Sequence, residues 1–295
     1  MPTGILLLDK PRGLSSNAAL QRVRRAYGAA KAGHVGSLDP LATGMLPICL
    51  DEATKIAGDL LEGRKCYRFE VALGRRTSTG DVEGAVVEEC PVPPIEREAL
   101  EAVLAAFSGE RQQIPPMYSA LKRDGQPLYR LARAGVEVER APRAIRVDRL
   151  ELRSLAPGLL DLEMLCSKGT YVRTMAEDIA SALGTCGHVA SLRRLYVEPF
   201  AAASMVSLDA VAGAAPDALP ELLPADSALA HLPSTVFTAE GTARLRHGQS
   251  AAPLESGKPG RCRLYDDGGQ FFGIGEITID GDVQPRRLFR PSETV

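Results

Sequence analysis

Short apolar runs and clear periodicities divide the chain into strands interrupted by helices. Gly4 to Leu8 is a short apolar stretch ended by Asp9 and Lys10, which fits a buried strand. Ser16 or Asn17 can then cap a helix carrying Leu20, Val23 and Tyr27 and stopped at Gly28. Tyr67, Phe69, Val71 and Leu73 alternate with Arg68, Glu70 and Ala72, the period of a half-buried strand. Ala85 to Glu89 is expected to pair with it across a turn near Gly80 to Gly84, which reads as antiparallel pairing. Leu100, Val103, Leu104 and Phe107 recur at helical spacing and end at Gly109. Strand character returns at Ala144 to Leu152 and at Leu160 to Cys166, where Leu160, Leu162, Met164 and Cys166 share one face and Asp161 and Glu163 the other. A helix follows, with Thr170 as its cap. Val172, Met175, Ala176, Ile179 and Leu183 form its apolar stripe, and Arg173, in the first turn and off that stripe, is free to point into a cleft.

Two stretches break this regularity. Ile114 to Pro142 is rich in Pro, Gly and Arg and holds one short helical segment, Leu128 to Ala134, so it is expected to be an exposed arm. The Ala/Pro-rich stretch Ala212 to Pro233 reads as a linker. Beyond it lie a short helix around Thr242 to Arg246, a hairpin turning at Asp266 to Gly269, and a glycine-broken strand from Phe271 to Ile279. The expected division is one large unit, residues 1–232, with the arm at about 114–142 inserted in it, and a small β-rich unit, residues 233–295.

With 295 residues, 45% of them hydrophobic and 24% charged, the chain can bury a sizeable core. No apolar run approaches the roughly 20 residues that span a bilayer, so neither a membrane anchor nor a secretory signal is expected. Six cysteines are scattered without a CxxC pair, which suggests neither a zinc cluster nor a redox dithiol and fits a reducing cytoplasm. A net charge of -2 excludes a uniformly basic surface. Charge is nevertheless polarised: Lys10, Arg12, Arg22, Arg24, Arg25 and Lys31 face only Asp9 near the start, a second basic stretch runs from Arg111 to Arg153, and Val206 to Glu240 carries only acids. That pattern is compatible with a local phosphate-gripping face, although solvated helix faces also produce it. Neither a G-x-G-x-x-G nor a G-x-x-x-x-G-K-[ST] phosphate loop occurs.

The densest chemical signal is Lys31 to Pro47, KAGHVGSLDPLATGMLP. Its glycines permit tight turns, and Pro40 holds Asp39 extended, so a carboxylate is presented on a loop. Taken singly, an Asp-Pro pair is a turn signal and His34 an ordinary histidine.

At this segment the sequence closely resembles the TruB family of tRNA pseudouridine synthases, whose loop G-H-x-G-x-L-D-P-x-A-x-G-x-L-P it matches at every fixed position. The resemblance continues through DKPRGLSS at Asp9 to Ser16, DEATK at Asp51 to Lys55, KCYRFEVALG at Lys65 to Gly74, RTSTGDVEG at Arg76 to Gly84, CSKGTYVRTMAEDIA at Cys166 to Ala180 and GHVASLRRL at Gly187 to Leu195. It therefore spans about the first 200 residues in order.

The resemblance implies an α+β pseudouridine synthase fold with a predominantly antiparallel mixed sheet. It also implies a thumb-like RNA-binding insertion at the arm and, more loosely, a PUA-like RNA-binding domain at the C-terminus. It implies isomerisation of the T-loop uridine at position 55 of tRNA by base flipping, in a cytoplasmic enzyme that acts as a monomer without an obligate protein partner. Breaking the N1 to C1' bond, rotating the uracil and rejoining it through C5 needs a nucleophile but no metal, redox cofactor or nucleotide. Asp39 matches the nucleophile, which attacks either uracil C6 or ribose C1', and a carboxylate suits both routes because it can add and depart. Arg173 matches its arginine partner, and desolvation, which would raise the carboxyl pKa, gives a reason for one. Tyr67 matches the tyrosine that stacks on the base; Tyr171 and Leu192 match positions that complete the uracil pocket. His34 matches the histidine that fills the space left by extruded bases, and Lys10 and Asp81 match positions along the cleft. Lys122, Arg123, Arg130, Arg133, Arg140 and Arg143 on the arm suit phosphate contacts. Two rivals stand beside this reading: a guide-RNA-dependent pseudouridine synthase that works with small protein partners, and a non-catalytic RNA chaperone that refolds tRNA. The compact chain without long charged tails favours the stand-alone enzyme over the first, and Asp39, Tyr67 and Arg173 together argue against binding as the sole role.

Overall fold

The structure, a computed structural model, describes residues 2–123 and 125–290; the last five residues of the expected C-terminal unit, 291–295, lie outside the described residues. In chain order the elements are β1 (Gly4–Lys10), α1 (Ser16–Ala26), β2 (Ala32–His34), β3 (Thr43–Leu50), α2 (Ala57–Glu62), β4 (Lys65–Leu73), β5 (Arg75–Thr77), β6 (Val86–Glu89), α3 (Arg97–Ala106) and β7 (Gly109–Gln113). There follow β8 (Lys122–Arg123), β9 (Gln126–Pro127), α4 (Leu128–Arg133), β10 (Arg143–Ala156), β11 (Leu159–Cys166), α5 (Val172–Ala182), β12 (Gly187–Val197), β13 (Val206–Ser207) and α6 (Leu208–Ala212). Beyond residue 233 come β14 (Ser234–Val236), α7 (Ala239–Arg246), β15 (Gly260–Tyr265), β16 (Phe271–Ile277) and β17 (Val283–Leu288).

One large sheet runs β13-β1-β3-β12-β4-β11-β10-β7, with β2 paired to β3 beside it. Two of its joins are parallel, β1 with β13 and β3 with β12, and the others are antiparallel. The continuous apolar run of β1 follows from burial on both faces. Leu6 and Leu8 join the cluster under α1, α5 and α6, while Ile5 and Leu7 join a second cluster with Leu229, Ile274 and Phe289. By contrast, β4 and β11 alternate as expected: Phe69, Val71, Leu160, Leu162 and Met164 are fully buried, and Arg68 bridges across to Asp161 at 2.6 Å on the other side. The C-terminal strands form a separate four-stranded sheet, β14-β15-β16-β17.

Several local expectations are corrected. Val86–Glu89 pairs with β5 in a two-stranded sheet and not with β4, because Gly74, at φ +91, turns the chain after β4 and leaves both flanks of that strand to β11 and β12. The cap of α1 is Ser15, whose hydroxyl accepts from Ala18 N; Ser16 is buried and serves a different loop. Tyr171, not Thr170, is the N-cap residue of α5, and the Thr170 hydroxyl donates to Ser167 O. The stretch 212–233 is packed rather than free: Leu223 exchanges backbone hydrogen bonds with Ile5, and Ala228 and Leu229 are buried. Cys90 and Cys186 form a disulfide, a pairing that the absence of a CxxC motif did not bear on. Their 96-residue separation hides the pairing in sequence, but Gly74 brings them together by donating to Cys186 O and accepting from Cys90 N.

Candidate active site

Asp39 sits in the loop between β2 and β3, and three sets of bonds fix that loop. The Ser16 hydroxyl accepts from Leu38 N at 2.7 Å and donates to Leu38 O at 3.0 Å. Gly13 N donates to Pro40 O, and Ala42 N donates to Asp39 O. The Arg194 guanidinium, 1% exposed on β12, donates to Met45 O, Gly36 O and Val35 O at 2.7, 2.9 and 3.3 Å. Gly36, at φ +70, makes the turn that lets its carbonyl face this guanidinium.

The loop forms one wall of a cleft of about 990 Å³ across the large sheet. Asp39, Tyr67, Asp81, Tyr171, Arg173 and Leu192 all line it, although they come from four strands or loops and one helix start. Arg173 is 5% exposed and engages all three of its nitrogens: Nε lies 2.9 Å from Asp39 Oδ2, Nη1 donates to Thr79 O at 2.7 Å and Nη2 to Tyr118 O at 2.6 Å. A guanidinium whose two terminal nitrogens are tied to backbone carbonyls keeps its Nε–H aimed at the carboxylate. Asp81 is nearby, with Oδ2 3.8 Å from Arg173 Nε, but its other oxygen accepts from Thr79 Oγ1 and Glu83 N. Burial pushes the Asp39 carboxyl up; Arg173 and Lys10 pull it back, and the Asp81 charge adds to the rise. The Tyr67 hydroxyl is likewise raised by burial and drawn down by Arg194.

The remaining two candidates lie elsewhere. Lys10 is fully buried beneath the loop, where its ammonium donates to Leu14 O at 2.7 Å and Pro11 O at 2.9 Å and reaches Pro40 O at 3.5 Å. Burial lowers its pKa to about 8. His34 is on β2, paired with Ile48, and does not line the cleft; its Nδ1 is buried without a partner, and burial and Arg194 both lower its pKa, favouring neutral imidazole.

Sequence reasoning passed over Arg194 and Ser119, which also line the cleft. Arg194 was visible only as part of a motif, since a guanidinium that bonds backbone carbonyls leaves no charge pattern. Ser119 and Tyr118 belong to the arm, whose root therefore reaches the site; Arg133 and Arg143 also face the cleft. Among the described residues, no group of three or more His, Cys, Asp and Glu side chains could hold a metal ion.

Comparison with known proteins agrees with this geometry. The N-terminal domain of TruB family pseudouridylate synthases matches residues 24–172, a tRNA pseudouridylate synthase B C-terminal domain matches 173–230, and a pseudouridine synthase II TruB C-terminal domain matches 233–289. The tRNA pseudouridine synthase B of Stutzerimonas stutzeri is 50% identical over 98% of this chain and 96% of its own length. That of Pseudomonas aeruginosa is 49% identical over 98% and 96%, and that of Nitrosococcus oceani 50% over 97% and 94%. Among solved structures, a chain of a Cbf5-Nop10-Gar1 complex superposes with a TM-score of 0.73 at 22% identity, covering 98% of this chain and 86% of that one, which shows the pseudouridine synthase fold. A conserved-length match at half identity, a loop-borne aspartate paired to a buried arginine and a shared fold converge: the chain belongs to the TruB family of pseudouridylate synthases.

Proposed function

We propose that this protein isomerises the T-loop uridine at position 55 of tRNA to pseudouridine, with Asp39 as the nucleophile. The observation that carries the reading is the Asp39 carboxylate, held at 2.9 Å by Arg173 on the wall of a cleft large enough for an extruded nucleotide. Addition of the carboxylate at C6 or at C1' loosens the N1 to C1' bond. The freed uracil turns so that C5 meets C1', the new bond forms, the carboxylate departs with the electron pair of its bond to carbon, and a proton leaves C5 while N1 takes one up, so the product is an isomer. Tyr67 and Leu192 form the pocket around the base, and stacking on the tyrosine contributes roughly 1 to 3 kcal/mol. His34 fills the space vacated in the T-loop, which helps offset the few kcal/mol of base extrusion. Arg133 and Arg143, with the other basic residues of the arm at 114–142, contact phosphates. The enzyme acts as a cytoplasmic monomer without a guide RNA; among the described residues no helix is long and apolar enough to cross a membrane.

Support for tRNA as substrate comes from the relatives at about half identity, each named a tRNA pseudouridine synthase B. The structural neighbours named for protein complexes and for an H/ACA RNP are only 22% identical. Incubating the purified protein alone with an unmodified tRNA transcript and mapping pseudouridine tests the reading. Modification at the T-loop uridine is expected, and an unmodified transcript overturns it.

A further inference from the structure

We infer that Gln113 is a positioning residue for this isomerisation, one that holds Arg173 on Asp39 by clamping the backbone of Tyr171; the inference rests on the function proposed above. Gln113 ends β7 at the root of the arm and is 4% exposed. Its amide meets both backbone groups of one residue: Oε1 accepts from Tyr171 N at 2.8 Å and Nε2 donates to Tyr171 O at 3.0 Å. Only this orientation of the amide satisfies both groups, so its direction is fixed by the network.

The clamped residue stands two positions before Arg173. Tyr171 is the N-cap of α5, extended at φ -100 and ψ 111, and its side chain makes no cap bond. Its carbonyl already accepts the first helical bond from Met175 N, so the Gln113 amide fixes where the helix begins. Arg173 is then in the first turn, and its reach to Asp39 depends on that start. A second tie from the same root strengthens the argument, because Tyr118 O accepts from Arg173 Nη2 at 2.6 Å. The two ends of the short segment 113–118 thus hold the backbone before the arginine and the guanidinium itself. Gln113 also pairs in register with Arg143 of β10, where the arm returns to the sheet. Both feet of the arm therefore meet at the residue that sets the arginine, so arm and arginine share one rigid support.

Gln113→Met keeps the bulk and removes both hydrogen bonds. With wild type and Asp39→Asn beside it, single-turnover rates and dissociation constants on an unmodified tRNA transcript separate positioning from binding. A rate loss of roughly 10- to 100-fold with little change in affinity is expected, since a misplacement of about 1 Å has that effect. Because Arg173 draws the Asp39 carboxyl down while burial and Asp81 raise it, loosening Arg173 should also move the acid limb of the variant's pH profile upward. Gln113→Glu supplies a rescue. Its carboxylate accepts from Tyr171 N but repels Tyr171 O, whereas the protonated acid donates to that carbonyl as the amide does, so the variant's rate relative to wild type should rise as pH falls. The ratio is read above the acid limbs of both proteins, where Asp39 stays ionised in each, and Arg143, the register partner of Gln113, and Arg173 are common to both. If Gln113→Met folds poorly, the ratio for Gln113→Glu still decides. A wild-type rate in Gln113→Met, or a ratio for Gln113→Glu independent of pH, overturns the inference while leaving the proposed function standing. A wild type that makes no pseudouridine overturns both.

Discussion

If Asp39 is the nucleophile proposed above, its carboxylate must stay charged in a partly buried site, and its surroundings carry that conflict. Burial raises its pKa, the Arg173 charge lowers it, and the net direction is upward. For a carboxyl whose folded pKa lies above its unfolded one, the folded state binds the proton more tightly. Its contribution to stability is thus favourable in acid and turns into a penalty as pH rises from the unfolded pKa to the folded one. Asp39→Asn should therefore form no pseudouridine at any pH, yet melt at or above the wild-type temperature at neutral pH, with the gap closing below about pH 4. Thermal unfolding at both pH values alongside pseudouridine mapping checks this; turnover near wild type would remove Asp39 from the mechanism. At this scale the sequence was legible where a motif named the residue, as for Asp39, Tyr67 and Arg173. It was silent for Arg194 and Gln113, whose partners are backbone groups at least 58 residues away. Lys10 shows a third case: its position was legible, but only the fold reveals that its ammonium is spent on carbonyls beneath the loop.

Among elements, the short loop joining β2 to β3 depends on a single hydroxyl from the neighbouring helix start. Ser15 and Ser16 are adjacent and chemically alike, and the periodicity of α1 cannot tell which of them caps it. In the structure Ser15 caps and Ser16 binds both backbone groups of Leu38, one residue before Asp39. Their alanine variants should therefore part company. Ser15→Ala loses an exposed cap worth about 1 kcal/mol and, although Ser15 lies on the cleft rim, should slow the single-turnover rate less than Ser16→Ala. Ser16→Ala strands a buried N–H and C=O at Leu38, which costs about 1 to 3 kcal/mol, and should also slow the reaction by letting Asp39 drift from Arg173. Denaturant midpoints and single-turnover rates on the pair measure both effects, and equal rates for the two would show that the loop holds its shape without Ser16. The alternation of β4 and β11 was readable because one face is buried along their length, whereas the partner of β6 was not, since both faces of that short strand are exposed.

For the molecule as a whole, the decisive question is whether the C-terminal sheet is a tethered module or part of one body. Composition suggested a linker before residue 233; in the structure that stretch is packed, and the sheet beyond it is docked. Ile274 and Phe289 complete the same apolar cluster as Ile5, Leu7 and Leu229. Phe289 stacks edge-on against Phe271 at 5.1 Å, and Phe271 against Tyr265 at 5.6 Å, while the Tyr265 hydroxyl donates to Asp226 at 2.6 Å. Around this apolar contact Arg261 meets Asp59 at 2.5 Å, Lys55 donates to Leu288 O at 2.7 Å and Arg290 N to Glu52 at 2.7 Å. Exposed ion pairs of this kind contribute little, so the aromatic anchor carries most of the docking. Phe289→Ala removes a ring that is 7% exposed, and truncating a buried phenylalanine costs about 3 to 5 kcal/mol. If the two sheets unfold as one cooperative unit, that loss should lower a single melting transition of the entire chain. If they are independent, the large sheet should melt unchanged and only a C-terminal transition should move. Calorimetry of wild type and Phe289→Ala distinguishes the two, and a single shifted transition is expected, because Phe289 shares one apolar cluster with Ile5 and Leu7 of β1, the strand that pairs with β3 beside the loop of Asp39.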